Sequence, residues 1–305
     1  MALVVAGSNP VPHPKLRIEM KAQNLTISVP AERCDKNCPY CISMITWQPD
    51  NDIIRMYENL SAVQRVADRA GVTNVLITSK REPFMNSGET LHFARCFMDY
   101  WLEIQTNGLY LSKHVSSDNE AFAIELSRCR VNVIAFSIDQ LEDIDNYADV
   151  FKTLKKFGII TRVCINLTKK ITSKYGFYNI TEAVTKHRDE RGIPYVRQLL
   201  FRDINYPSTA SKDSRVVQWI DENVNSAHYT SIVAQAVRAE ATGDMRELRK
   251  IPHTGVTIYS YKNLSICFSD YCIQEKNRTE DIRSLIFQSD GHLYTSWDDP
   301  ASILF

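Results

Sequence analysis

The chain has 305 residues, of which 44% are apolar and 24% charged, with 10 Gly and 11 Pro. This excludes collagen-like and low-complexity proteins and fits one large globular domain with an appendage. Lys and Arg together number 36, as do Asp and Glu, so there is no global basic field, and duplex nucleic acid is not an expected partner.

The apolar run at Met1 to Ala6 is too short for a signal peptide, and no stretch approaches the roughly 20 apolar residues of a membrane span. A cytoplasmic chain without membrane contact is expected. In that compartment the eight cysteines stay reduced, so their spacing is read as chemistry or as core. Residues 1–23 contain Pro10, Pro12 and Pro14 with little periodicity, which predicts an N-terminal arm. From Asn24 a rhythm sets in. Strands are predicted at 24–29, 73–78, 101–106, 131–138, 159–168 and 195–201. Helices are predicted between them at 52–70, 87–98, 119–127, 147–157 (stopped by Gly158) and 180–188. Six strands alternating with helices in units of about 30 residues argue for parallel pairing through crossovers. The predicted fold is therefore α/β, a partial (β/α)6 TIM-like barrel over residues 24–210. Beyond it the alternation stops. Residues 211–250 read as helical and 256–261, 264–268, 284–287 and 293–296 as short strands, so 211–305 is expected to form a short α+β C-terminal extension covering the barrel opening.

Several strands end in polar residues: Gln105-Thr106-Asn107, Ser137-Ile138-Asp139 and Asn166. In barrels of this kind such ends point to the ligand-binding carboxyl face. Directly after the first strand comes Arg33-Cys34-Asp35-Lys36-Asn37-Cys38-Pro39-Tyr40-Cys41, three thiols at spacings of four and three. A loop of this length can turn three thiolates toward one point, as an iron–sulfur cluster or a zinc ion requires. No fourth ligand lies nearby; the next histidine downstream is His92. Three thiolates on a four-iron cube would leave one iron open.

The C-x3-C-x2-C spacing, with an aromatic residue before the third cysteine, resembles the signature of the radical S-adenosylmethionine superfamily. The likeness extends to Glu82-Pro83 after the second strand, although Lys80 and Arg81 stand, with one residue extra, where the family has paired glycines. It spans about residues 24–205. The resemblance implies that Cys34, Cys38 and Cys41 hold a [4Fe-4S] cluster whose open iron chelates S-adenosylmethionine. Reductive cleavage would yield a 5'-deoxyadenosyl radical that abstracts hydrogen from substrate. It further implies Tyr40 near the adenine, and Lys80, Arg81, Glu82, Asn107, Ser137, Asp139 and Asn166 as cofactor-binding residues. The expected partners are a small-molecule substrate, a nucleotide or nucleoside-like metabolite, and an electron donor such as flavodoxin or ferredoxin. Two alternatives stay open: a peptide- or protein-modifying relative, and a non-catalytic iron–sulfur or zinc binding module. No catalytic residue is assigned.

Weaker signals lie in the tail. Cys267 and Cys272 sit where some relatives carry auxiliary clusters, but two thiols alone rarely hold one, and the expectation is a tail without metal. Residues 290–299 concentrate Asp290, His292, Tyr294, Trp297, Asp298 and Asp299, candidates for substrate contact, and Ser302 to Phe305 are expected to plug the open side of the barrel. Lys169, Lys170, Arg197 and Arg202 are candidates for a substrate phosphate or carboxylate. Cys96, Cys129 and Cys164 read as core, and His13, His187 and His228 as surface or capping residues.

Overall fold

A computed structural model of the chain describes residues 20–251, 256–269 and 282–305. The first part alternates as the sequence predicts: β1 (Ala22–Ser28), α1 (Ile53–Arg69), β2 (Asn74–Thr78), α2 (Ser87–Cys96), β3 (Trp101–Thr106), α3 (Leu109–His114), α4 (Ala121–Arg128), β4 (Val131–Ile138), α5 (Asp143–Asn146), α6 (Ala148–Lys156), β5 (Ile160–Asn166), α7 (Lys169–Thr172), α8 (Phe177–Thr185) and β6 (Val196–Arg202). The second part holds α9 (Arg215–Asn223), α10 (Ser226–Ala241), β7 (Met245–Lys250), β8 (Thr257–Tyr261), β9 (Leu264–Ser269), β10 (Ile282–Phe287) and β11 (Leu293–Tyr294). Most of the predicted N-terminal arm lies outside the described residues, and its last two residues begin β1.

All strands form one sheet in the order β11-β10-β1-β2-β3-β4-β5-β6-β9-β8-β7. From β10 to β9 every neighbouring pair is parallel. The partial barrel of six strands is thus present, and the tail adds one parallel strand at each of its edges. β9 and β10 are not bonded to each other, so the run of eight does not close.

The strand period of two sorts the side chains. Ile27, Ile77, Phe136, Phe201 and Phe287 are fully buried on the outer face. There they meet the helices, as in Phe136 with Phe151 of α6 (ring centroids 5.0 Å), Phe201 with Phe177 of α8 (5.8 Å) and Phe287 with Phe93 of α2 (6.3 Å). Residues of the opposite parity face the interior. There Arg162 of β5 donates to Glu103 of β3 at 2.5 Å and to Gln198 of β6 at 2.8 Å. Ala135 of β4, in register with Arg162, leaves room for that reach. Glu103 and Arg162 thus pair inside the barrel.

The tail departs from expectation in two places. The helix expected through 250 stops at Ala241, because Gly243 takes φ +81 and reverses the chain into β7, an edge strand whose charged side chains are exposed. The apolar C-terminus does not plug the barrel. Leu304 donates its amide to the Leu293 carbonyl (2.7 Å), which lays residues 304–305 beside β11 at the sheet edge and leaves Ile303 and Leu304 exposed. The turn before β11 is seated on α1: the Asp52 amide donates to the Ser289 carbonyl and Asn59 to the Gly291 carbonyl, both at 2.7 Å. Gly291 has φ +80, and a Cβ there would lie 2.7 Å from the Arg55 backbone, so both conformation and approach require glycine. Among the described residues no helix is long and apolar enough to cross a membrane.

Candidate functional site

A cavity of about 190 Å³ opens at the carboxyl ends of the parallel strands and runs up against the cysteine loop. Cys34, Cys38 and Cys41 all line it, as do Tyr40, Arg81, Glu82, Asn107, Ser137, Asp139 and Asn166. The strand ends bring these together because each parallel strand delivers its last polar residue to the same rim.

Glu82 follows β2 and is 2% exposed. Its carboxylate accepts from the Thr106 hydroxyl (2.7 Å), the Asn107 amide (2.8 Å) and the Phe84 amide (3.2 Å). Burial outweighs these three donors and pushes its pKa up to about 7. A bound cation would reverse that shift. Asn107 ties this group to the cysteine loop, its side-chain amide donating to Asp35 at 2.7 Å and to the Cys34 sulfur at 3.6 Å. The next residue, Gly108, adopts φ +86 with its Cβ position 2.7 Å from the Phe136 ring, so the turn out of β3 also requires glycine.

Across the cavity Asp139, just past β4, collects three donors. Lys36 from the cysteine loop pairs with it at 2.5 Å, Asn166 at the end of β5 donates at 3.0 Å, and the Tyr40 hydroxyl donates to the same carboxylate. Tyr40 also packs against Trp219 of α9, with ring centroids 5.4 Å apart, so the tail reaches over the loop. Lys36 falls inside the cysteine motif and Trp219 in a predicted helix, and neither stands out by residue pattern alone.

Among the described residues no group of three or more His, Cys, Asp or Glu side chains is gathered to hold a metal ion as it stands. The donor chemistry nevertheless suits a thiolate-bound cationic centre. Burial raises the Cys34 thiol, and burial, with Asp139 and the other two thiols, raises Cys38 to about 12. Thiols so placed ionise only when a strong positive charge sits among them.

Two of the predicted cofactor contacts behave differently. Arg81 reaches the rim of the cavity, whereas Lys80 does not line it. Lys80 is buried behind it, 4.3 Å over the Trp297 ring, donating to the Trp297 carbonyl (3.2 Å) and the Thr46 hydroxyl (3.4 Å). Burial lowers its pKa to about 8. It holds the tail rather than the cavity.

A second cavity, of about 370 Å³, lies deeper in the barrel, and Ile42, Thr78, Gln105 and Arg202 line both. Of the four basic residues flagged in the late strands, only Arg202 is there. Arg197 is five residues earlier and therefore on the opposite face, and Lys169 and Lys170 are exposed on α7. The parity of β6 alone separates Arg202 from Arg197. Of the tail residues Trp297 lines this second cavity. Asp298 instead accepts from the Trp47 amide (2.5 Å), and Tyr294 donates to Asp290 (2.7 Å) and packs on Trp47, so these serve docking. Cys267 on β9 is half-buried, its pKa raised to about 11 chiefly by desolvation, while Cys272 and His13 lie outside the described residues. His187 is held by Asp145 at 2.7 Å on the surface.

No protein-family model and no curated protein sequence matches the chain. Solved structures do share its fold. SuiB of Streptococcus suis bound to S-adenosylmethionine superposes with a TM-score of 0.55 at 11% identity, over 91% of this chain. Another SuiB structure gives 0.54 at 12% identity over 92%. The chain matches 61% of the length of these structures. The likeness is one of fold: a parallel α/β partial barrel able to present its strand ends to a ligand.

Proposed function

We propose that the chain is a radical S-adenosylmethionine enzyme acting on a small molecule, of nucleotide or nucleoside-like kind. The observation that carries this reading is the convergence on one cavity of Cys34, Cys38 and Cys41 with Glu82, Asn107, Asp139 and Asn166. The fold shared with an S-adenosylmethionine-bound protein supports it. The three cysteines would hold a [4Fe-4S] cluster, which when bound supplies the electron that cleaves the S-adenosylmethionine sulfonium to methionine and a 5'-deoxyadenosyl radical. The protein's own part is placement. Glu82 would accept from the ammonium group of the ligand, and Asp139 and Asn166 present an acceptor and a donor for its ribose. Tyr40, backed by Trp219, offers an aromatic face for the adenine. Thr106 and the Asn107 amide fix the Glu82 carboxylate before the ligand arrives, so little reorganisation is needed on binding.

The test is anaerobic reconstitution with iron and sulfide, followed by dithionite and S-adenosylmethionine. About four irons and four sulfides per chain and the release of 5'-deoxyadenosine are expected. Stoichiometric zinc without labile sulfide, or a cluster that never yields 5'-deoxyadenosine, would leave a binding module instead.

A further inference from the structure

The cysteine loop lies at the surface: Arg33, Cys34, Asp35, Asn37 and Pro39 are exposed, and residues 33–38 form neither helix nor strand. Its thiols therefore depend on tethers to the barrel for their places. One tether is Asn107, which holds the start of the loop through Asp35 and Cys34. The other is Asp139, which holds the loop on both sides of Cys38. Lys36 pairs with Asp139 Oδ2 at 2.5 Å and donates to the Ser137 carbonyl at 3.5 Å, while the Tyr40 hydroxyl donates to Oδ1. Of the three residues between Cys34 and Cys38, only Lys36 lines the cavity. The side chains of the ion pair are 20% and 18% exposed, so solvent and salt screen it less than a surface pair.

We propose that Lys36 is a positioning residue: its ion pair with Asp139 latches the cysteine loop to the end of β4, so that one contact both sets the thiols and aims Asp139 at the ligand. This rests on the proposed function, since the thiols and Asp139 are the cofactor contacts of that reading. A carboxylate has about four acceptor positions. On Asp139, Tyr40 and Asn166 both use Oδ1 and Lys36 uses one position of Oδ2, which leaves the other position of Oδ2 for a ligand hydroxyl. A ligand is thus accepted with the ion pair in place. Without Lys36, the loop keeps only its Tyr40 contact to this carboxylate, and both positions of Oδ2 fall open, so the ligand hydroxyl is no longer directed to one of them.

The test is hydrogen exchange of the peptide covering residues 33–48 in the full chain, before any iron is added. Lys36→Met and Asp139→Asn are each expected to speed exchange there by about ten-fold, since the loop opens once the latch is gone. The double variant should exchange no faster than the faster single variant, because both substitutions remove the same contact. Lys36→Arg, which keeps the charge, should stay within about three-fold of the wild type. After reconstitution, the rate of iron loss to a chelator should follow the same order. Thermal unfolding of each variant confirms that it folds, and Lys36→Arg guards against a methionine variant that does not. Exchange unchanged in Lys36→Met, single effects that multiply in the double variant, or Lys36→Arg exchanging as fast as Lys36→Met would overturn the inference. A wild-type chain that takes up no cluster strikes the proposed function instead, and exchange in the iron-free chain decides the latch separately.

Discussion

The two cavities stacked along the barrel share walls from β2, β3 and β6 and differ in the rest of their lining. At the rim, Glu82 and Asp139 face the cysteine loop, and burial leaves Glu82 with a carboxyl group that a cation would stabilise in its charged form. One layer deeper, the lining is largely hydroxyl and apolar, with Thr26, Ser269 and Ser284 beside Leu76, Leu200 and Ile286. The difference comes from where each residue falls on a strand: the rim collects residues just past the strand ends, where chain reversals place acidic and amide groups, and the deeper layer collects inward positions of β1, β6, β9 and β10.

The strongest way to break the comparison is to remove the thiols. Cys34→Ala, Cys38→Ala and Cys41→Ala are each expected to lower iron content to background and abolish 5'-deoxyadenosine formation, read by metal analysis and chromatography.

Next in size is Glu82→Gln. The carboxylate's pKa of about 7 means that it is largely protonated below neutrality and charged above it. S-adenosylmethionine affinity is thus expected to tighten as pH rises from 6 to 8 in the wild type. In Glu82→Gln it should be about ten- to a hundred-fold weaker at pH 8, the equivalent of a charge-assisted hydrogen bond of about 1.5–3 kcal/mol, with little dependence on pH. Stability runs the other way. Because the folded pKa lies above the unfolded one, Glu82 contributes stability that is present below pH 4.5 and lost as pH rises through 7, and the glutamine variant should lack that component.

Much of this was legible in the sequence and some of it was not, for physical reasons. The alternation of β1 to β6 with helices is written in apolar periodicity, and the strand-end residues Asn107, Asp139 and Asn166 were identifiable because parallel strands deliver their ends to one rim. The thiol loop was legible from spacing. The placement of β9 and β10 at opposite edges of the barrel was not, since strand order depends on long-range pairing that local pattern does not encode. Lys80 and Arg81 show the same limit at the scale of one residue. Both follow the same strand, yet Arg81 reaches the cavity and Lys80 turns under Trp297, because only the tail, 217 residues onward, supplies its partner.

A smaller effect tests how firmly the tail is seated on α1. Gly291→Ala forces a Cβ into a φ of +80 and to within 2.7 Å of the Arg55 backbone. A loss of about 1–3 kcal/mol in unfolding free energy is expected, measured by denaturant titration. An unfolding free energy unchanged from that of the wild type would show that the turn tolerates a side chain there.

The smallest expected effect is that of Lys80→Met. The ammonium group is buried, and its contacts with the Trp297 ring and carbonyl do not fully offset its desolvation, which is why its pKa falls to about 8. A lysine whose folded pKa is lowered makes the native state release its proton first, so wild-type stability should rise between about pH 8 and pH 10.5, at no more than about 1.4 kcal/mol per pH unit. Methionine fills a similar volume without the charge, and the variant should lose that slope while changing stability near neutrality by only about 1 kcal/mol. S-adenosylmethionine affinity should not move, since Lys80 does not line the upper cavity. Parallel unfolding curves at pH 7.5 and 9.5 decide the matter. A wild type and a variant with the same pH slope would show that the lysine stays solvated, and a drop in S-adenosylmethionine affinity would return Lys80 to the rim.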